Sequence, residues 1–272
     1  MSNKIFVSPE IEKNTIEELS KQLLKANTEL KKLQDEREVM FANISHDLRA
    51  PMTAIRSAID LALSEADPTQ QELLSTIELI DRRSKTLESL INDMYFLYSV
   101  SNVSNALEFE DIEAAPFLEE YFYDLQTDSR FDEFEMVLDI EQGMDCIINI
   151  DVQKMIRVLD NLYTNAARYA LDDKGKKKPC IKLKAKCDKE RLLVSVTDNG
   201  PGIPEKDLPY VFMRTYTVSS ARTPESGKSG SGLGLSIAKA IIEKHNGRIE
   251  CKSVLGEGTE FIISLPLVIK EK

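Results

Sequence analysis

Between residues 11 and 44, apolar or small side chains fall at Ile16, Leu19, Leu23, Ala26, Leu30, Leu33, Met40 and Ile44. The intervals alternate between three and four, with one gap of seven across Arg37. That is the heptad seam of a helix, flanked by positions rich in Lys and Glu. An amphipathic helix on a globular core would share part of this pattern. The long run without Gly or Pro and the strict alternation favour a dimeric coiled coil. The pattern continues through Leu48, Ile55, Ile59 and Leu63. Pro51 removes a backbone donor and crowds the preceding turn, so a loosened or kinked helix is expected there. Asp67-Pro68 marks a turn within 64–70. A second helix is expected over 71–100, with Leu74, Ile77, Ile80, Leu87, Leu90, Ile91 and Met94 on its apolar side. Two helices joined by a short turn form an antiparallel hairpin, which buries little alone. Pairing with a second copy into a four-helix bundle is the expected solution.

The stretch 99–105 is dominated by Ser and Asn and marks a domain boundary. Beyond it strands and helices alternate. Strands are expected at 106–111, 136–140, 146–150, 181–187, 192–198, 248–253 and 260–265, and helices at 116–126, 152–170 and 235–245. Hairpin-like strand neighbours with separate helices indicate an α+β sandwich. Residues 204–231 have little apolar periodicity and read as a long mobile loop, which in a compact domain is usually functional.

The 272 residues suggest two domains, and a net charge of −11 argues against a nucleic-acid-binding body, which would present a basic face to phosphate. Four scattered cysteines (Cys146, Cys180, Cys187, Cys251) without a CxxC spacing fit a reducing compartment and no disulfide framework. With only His46 and His245 beside them, a His/Cys zinc site is not expected. No apolar run approaches the roughly 18 residues of a membrane span, and no signal peptide opens the chain. The reading is a cytoplasmic chain, or the intracellular part of a longer receptor.

Five segments carry chemistry. In Ser45-His46-Asp47-Leu48-Arg49-Ala50-Pro51, His46 sits just off the apolar seam, where a neutral imidazole is a competent nucleophile, and Asp47 could hold one ring nitrogen. Adjacent helix residues do not face each other, so that contact needs favourable rotamers. In Asp160-Asn161-Leu162-Tyr163-Thr164-Asn165-Ala166-Ala167-Arg168-Tyr169, Asn161 and Asn165 share a helix face. Amide oxygens are hard ligands that suit Mg²⁺, and Arg168 could meet phosphate. Asp198-Asn199-Gly200-Pro201-Gly202 follows a β-run; its carboxylate could accept from an exocyclic amine such as that of adenine, and its glycines allow close backbone approach. A plain turn would use the same residues. Gly227-Lys228-Ser229-Gly230-Ser231-Gly232-Leu233-Gly234 runs into a helix whose N-terminus could meet phosphate, without the spacing of a Walker A loop. Gly256-Glu257-Gly258-Thr259-Glu260-Phe261 is a turn into a strand.

In this order the five segments resemble the catalytic core of bacterial sensor histidine kinases, over about residues 35–266. The resemblance implies a coiled-coil signalling helix (1–34), a dimerisation and histidine phosphotransfer hairpin (35–105) and a gyrase-like ATP-binding α+β sandwich, the Bergerat fold (106–272). It implies that His46 is the phosphoacceptor and Asp47 its acid–base partner. Asn165 would bind Mg²⁺, with Asn161 beside it, and Arg168 and Tyr169 would close that helix. Asp198 would recognise adenine, with Gly200 and Gly202 shaping its pocket. Gly230, Gly232, Leu233 and Gly234 would line the phosphates and hinge a lid, and Thr259 would stand near the adenine pocket. The family's aromatic box, Phe-x-x-Phe-Tyr-Arg, is here Phe212-Met213-Arg214-Thr215-Tyr216-Thr217, without the second aromatic and the final Arg. Arg214, Arg222 and Lys228 are the candidates to replace that Arg toward the γ-phosphate. Ala50 stands where many members carry Thr or Asn. The expected activity is Mg–ATP-dependent autophosphorylation of His46 in a homodimer, followed by transfer to an aspartate of a response-regulator receiver domain. A gyrase-like ATPase and a non-catalytic regulator-binding scaffold are the alternatives.

Overall fold

The computed structural model describes residues 9–64, 68–101, 107–170, 178–188, 190–213, 216 and 232–268. Helix α1 (Pro9–Ser64) and helix α2 (Gln70–Ser101) pack against each other as the expected hairpin. Thr69 caps α2: its backbone N–H and hydroxyl both donate to Glu72, whose own N–H returns a bond to the Thr69 hydroxyl. This reciprocal box starts the helix immediately after Pro68. Pro51 lies inside α1, which continues through that position. Pro51 is buried, so packing holds the turn that its missing N–H would otherwise weaken. Of the heptad seam, Ile16, Leu33 and Met40 fall outside the described side chains, whereas Leu19, Leu23 and Leu30 are exposed.

The second unit comprises β1 (Glu110–Glu113), α3 (Ala114–Gln126), β2 (Glu135–Ile140), β3 (Ile147–Ile150), α4 (Val152–Ala170), β4 (Cys180–Cys187), β5 (Arg191–Asp198), α5 (Gly234–Lys244), β6 (Arg248–Val254) and β7 (Gly258–Pro266). The main sheet has the order β2-β4-β5-β7-β6, antiparallel except for the parallel β2–β4 pair, and β1–β3 form a separate ribbon. The first expected strand (106–111) moves to 110–113, and residue 106 lies outside the described residues. The alternation of Ile181, Leu183 and Ala185 on β4 and of Leu192, Val194 and Val196 on β5 turns one sheet face inward. Against that face lies the stripe Met155, Val158, Leu159, Leu162, Tyr163, Ala166 and Ala170 of α4, spaced three and four apart.

Asp151 organises the entry to α4. Its Oδ1 accepts from the Lys154 N–H at 3.0 Å, its Oδ2 accepts from the Glu108 N–H, and its own N–H donates to Nε2 of buried His245 at 3.0 Å. His245 sits at the end of α5, so the start of α4 and the end of α5 are tied together and the two helices run antiparallel. Burial lowers the His245 pKa, which keeps the imidazole in the neutral form that accepts this bond.

One expectation fails outright. Cys146, just ahead of β3, and Cys187, closing β4, form a disulfide that ties the ribbon to the main sheet. The sequence reading expected none, because scattered cysteines show no pairing signal when only folding brings their strands together. Cys180 and Cys251 remain free.

Candidate functional site

His46 lies on α1 between buried Ile44 and half-buried Leu48, and its own side chain is 80% exposed. Its Nδ1 is 3.4 Å from Asp47 Oδ1, so the two neighbours do meet, at the long end of hydrogen-bond reach. The ring is open to an incoming group and has one carboxylate at hand. Ala50, one turn further, is exposed. Beside them a groove of about 490 Å³ runs along α1, lined by Ser45, Leu48, Arg49, Met52, Thr53 and Arg56.

The second half of the chemistry gathers around α4, the end of β5 and the start of α5. Asn161 lies next to Gly234: a Cβ placed on that glycine would stand 3.0 Å from Asn161 Oδ1. The Asn161 amide nitrogen is buried with no hydrogen-bond partner. A buried donor left unsatisfied costs about 1–3 kcal/mol. Asn165, Arg168 and Tyr169 are half-buried further along the same helix. Helix α5 opens at Gly234, after half-buried Gly232 at φ 64° and buried Leu233. The start of α5 therefore stands beside the Asn161 amide, and a helix N-terminus is a place suited to phosphate.

Asp198 ends β5 and is 7% exposed. Its Oδ1 accepts from the Gly200 N–H at 2.9 Å. Burial pushes its carboxyl up to about 6, against the pull of N–H donors from Gly200 and Thr259. Thr259 is its strand partner on β7 and is buried. A side chain at Gly200 would meet the Asp198 carboxylate at 2.9 Å and the Ala170 backbone at 3.0 Å, so the absence of a Cβ lets the loop lie close to the end of α4. Gly202, at φ 71°, lets the loop lie on the β6–β7 turn; a Cβ there would approach the Val254 carbonyl to 2.2 Å. The structure thus brings Asn161 to Gly234, and Asp198 to Gly200 and Thr259. Arg214 and Gly230 lie outside the described residues, as do Arg222 and Lys228.

Several residues of the site carried no sequence signal. Ser253 Oγ accepts from the Ile203 N–H at 2.8 Å, donates to the Gly258 carbonyl at 2.6 Å and lies 3.0 Å from Thr259 Oγ1, which clamps the Asp198 loop to the β6–β7 turn. Cys251 stands close enough to Asp198 for its negative charge to join burial in raising the thiol to about 12. In the altered aromatic box, Phe212 packs edge-on against Phe261, and the Tyr216 hydroxyl donates to Asp207 at 2.7 Å. A serine in a strand or a lone aspartate in a loop looks ordinary until its partner is known.

A buried carboxylate, an amide nitrogen without a partner and a helix start beside that amide are groups that suit a purine with an exocyclic amine and a phosphate chain. Among the described residues no three His, Cys, Asp or Glu side chains are grouped to hold a metal. A cation here would rest on amide oxygens and on the ligand's own phosphates, and the residues present fit that arrangement. Among the described residues no helix is long and apolar enough to cross a membrane.

Two families of known proteins match segments of the chain. Residues 36–102 match the His Kinase A (phospho-acceptor) domain, and residues 150–269 match the family of histidine kinase-, DNA gyrase B- and HSP90-like ATPases. The sensor protein kinase WalK of Staphylococcus epidermidis is 35% identical over 245 residues, covering 90% of this chain and 39% of the relative. WalK of Staphylococcus aureus is 34% identical over 245 residues, again 90% of this chain, with 57% of the relative covered. The chain therefore spans between about two fifths and three fifths of these relatives. Among solved structures, the Acinetobacter baumannii histidine kinase AdeS shares the fold with a TM-score of 0.60 and 21% identity, over 82% of this chain and 98% of that one. Histidine kinase ThkA in complex with response regulator protein TrrA gives a TM-score of 0.65 at 23% identity, over 88% of this chain and 66% of that one.

Proposed function

Because the chain belongs to the two-component sensor histidine kinases and carries their catalytic core, we propose that it uses Mg–ATP to phosphorylate His46 and passes that phosphoryl group to an aspartate of a response-regulator receiver domain. The observation that carries this reading is a solvent-facing imidazole with a carboxylate at 3.4 Å, on the same chain as the buried Asp198 carboxylate and the unpaired Asn161 amide nitrogen. We divide the chain as expected, with 1–34 as signalling helix, 35–105 as phosphotransfer hairpin and 106–272 as ATP-binding domain.

Asp198 accepts from the adenine amine, and Asn161 and the α5 N-terminus face the phosphates, with Arg168 and Tyr169 closing the far side. Gly230, Gly232, Leu233 and Gly234 leave room for the phosphate chain, and Arg214 is the nearest cation in sequence to the arginine that the aromatic box lacks. Asn165 would hold Mg²⁺, which neutralises phosphate charge. An imidazole nitrogen of His46 attacks the γ-phosphorus, the N–P bond forms as the β,γ P–O bond breaks, and ADP leaves. Asp47 takes the ring proton. Positioning and charge neutralisation supply most of the acceleration in such transfers.

The exposed seam Leu19, Leu23 and Leu30 and the exposed Met52 and Ile59 support a homodimer, because a hairpin with that much bare apolar surface needs a second copy to cover it. The solved complex of ThkA with its response regulator supports docking of a receiver domain. A cytoplasmic setting, where ATP is available, belongs to the same reading. The test is incubation of the chain with γ-labelled Mg–ATP. Label on protein that is acid-labile and base-stable marks a phosphohistidine; ATP turnover without such label would favour a gyrase-like ATPase, and nucleotide binding without turnover a scaffold.

A further inference from the structure

On the nucleotide-binding reading above, we propose that Ser253 is a positioning residue for base recognition: it takes up the Thr259 proton and leaves Thr259 and Asp198 as a pair of bare acceptors that select a purine with an exocyclic amine. The three residues form one rung across the sheet. Ser253 of β6 pairs with Thr259 of β7, and Thr259 pairs with Asp198 of β5. Directly opposed residues on neighbouring antiparallel strands share a face. Asp198 follows buried Val194 and Val196 at the period of two, so the rung belongs to the helix-covered face. Asp198 and Thr259 are buried, and Ser253 is half-buried on the edge strand. Gly258, at φ 134°, lets the rung close up, since a Cβ there would collide with the Asp198 carbonyl.

Each bond of the rung has one possible direction. A serine hydroxyl has one proton and two lone pairs. The Gly258 carbonyl, 2.6 Å from Ser253 Oγ, can only accept, so it takes the serine proton. The Ile203 N–H, at 2.8 Å, can only donate, so it occupies one lone pair. Thr259 Oγ1 lies 3.0 Å from Ser253 Oγ. With the serine proton committed, two oxygens at that distance attract only if Thr259 donates. Its one proton therefore points along the rung toward β6 and away from Asp198, and toward β5 Thr259 Oγ1 has only lone pairs to offer. The Asp198 carboxyl, pushed up to about 6, is ionised at pH 7.5 and is likewise an acceptor. An exocyclic amine brings two N–H groups to such a pair. A base that offers only ring-nitrogen lone pairs along that edge meets repulsion. Without the Ser253 oxygen the Thr259 hydroxyl would be free to turn and donate, and the edge would accept both kinds of base. Ser253 stands one strand further from the carboxylate, so it acts through Thr259.

The test uses the whole chain with Ser253→Ala, Ser253→Thr, Thr259→Val, and Ser253→Ala combined with Thr259→Val. Titration at pH 7.5 measures affinity for Mg–ADP and for the Mg complex of purine riboside diphosphate, which lacks the amine. The parent should prefer Mg–ADP about 10- to 150-fold, the value of an N–H bond to a charged acceptor. Ser253→Ala should narrow that preference about three- to tenfold, the value of one uncharged hydrogen bond, whereas Ser253→Thr should keep it. In the Thr259→Val background, Ser253→Ala should leave the preference where it stands, because the group through which Ser253 acts is gone. The Thr259 hydroxyl proton, followed by nuclear magnetic resonance in the nucleotide-free chain, should be protected from exchange in the parent and in Ser253→Thr, and unprotected in Ser253→Ala. A Ser253→Ala chain that loses affinity for both nucleotides by one common factor, or a Thr259 hydroxyl that exchanges freely in the parent, overturns the proposal and leaves Ser253 as a clamp alone. If the parent binds neither nucleotide, the nucleotide-binding reading fails instead, and the hydroxyl resonance still decides the direction of the Thr259 proton.

Discussion

Replacement of Asp198 by Asn separates binding from stability by sign. In the free chain the carboxyl is pushed up to about 6 by burial, from an ordinary value of 3.8. The folded state therefore binds more protons than the unfolded one between those two values. Its contribution to stability is fully present at low pH and is lost as pH rises through about 6. At neutral pH the ionised, buried carboxylate is a liability of at most about 3 kcal/mol, from a shift of roughly two units. The amide introduced by Asp198→Asn would keep an oxygen to accept from the Gly200 N–H and would carry no charge. The nucleotide-free Asp198→Asn chain should thus be as stable as the parent or more so at pH 7.5, should lose roughly half of that advantage by pH 5, and should lose the rest by about pH 4. Nucleotide binding should respond in the opposite sense. Loss of a charged acceptor for the adenine amine removes about 1.5–3 kcal/mol, roughly a 10- to 150-fold rise in Kd. In the parent only about a tenth of the carboxyl is ionised one unit below its pKa, so affinity should fall about tenfold between pH 7 and pH 5. The assay is calorimetric or fluorescence titration with Mg–ADP from pH 5 to 8, with Asp198→Asn as the baseline for titration of the nucleotide's own phosphates. Parent affinity that tracks the variant across that range, or a variant that binds as tightly as the parent at pH 7.5, would refute the reasoning.

Asn165→Ala should abolish Mg–ATP use and leave the dimer intact, because the amide is on α4 while the exposed seam is on the hairpin; sedimentation and nucleotide titration report the two separately. Ala50→Thr should raise dephosphorylation of a phospho-receiver on the order of 10²-fold, since a methyl one turn from His46 cannot orient water and a single positioning contact is worth that much; brisk parent phosphatase activity that Ala50→Thr leaves unchanged would contradict this. Cys146→Ser should lower stability by at most about 4 kcal/mol, the chain-entropy figure for a loop closed by a 41-residue separation, seen as a lower Tm in the absence of reductant; an unchanged Tm would show that the bridge does not constrain the unfolded chain.

The long periodic elements were legible in the sequence: the two hairpin helices, α4 and the β4–β5 pair lie where alternation and heptad spacing place them. Short elements shifted, as at 110–113, where few residues carry the pattern and pairing with β3 decides the register. At Pro51 local chemistry forbids one hydrogen bond, and the helix continues around the buried ring. The disulfide and the Ser253 clamp were invisible for the same reason: each depends on residues from separate strands that only the sheet brings together. Asp198 meets Gly200, and Asn161 meets Gly234, because each stands at the end or on the face of a regular element. The Asp93–Arg157 contact joins two domains, and no periodicity within either one announces it.

The most direct measurement is transfer of label from γ-labelled Mg–ATP to the parent chain and to His46→Gln. The imidazole is removed from an exposed surface position, so fold and nucleotide pocket are retained and Mg–ADP affinity should be unchanged. The account expects acid-labile, base-stable label on the parent and none on His46→Gln. Equal labelling of both chains, or label on His46→Gln that survives acid, would contradict it.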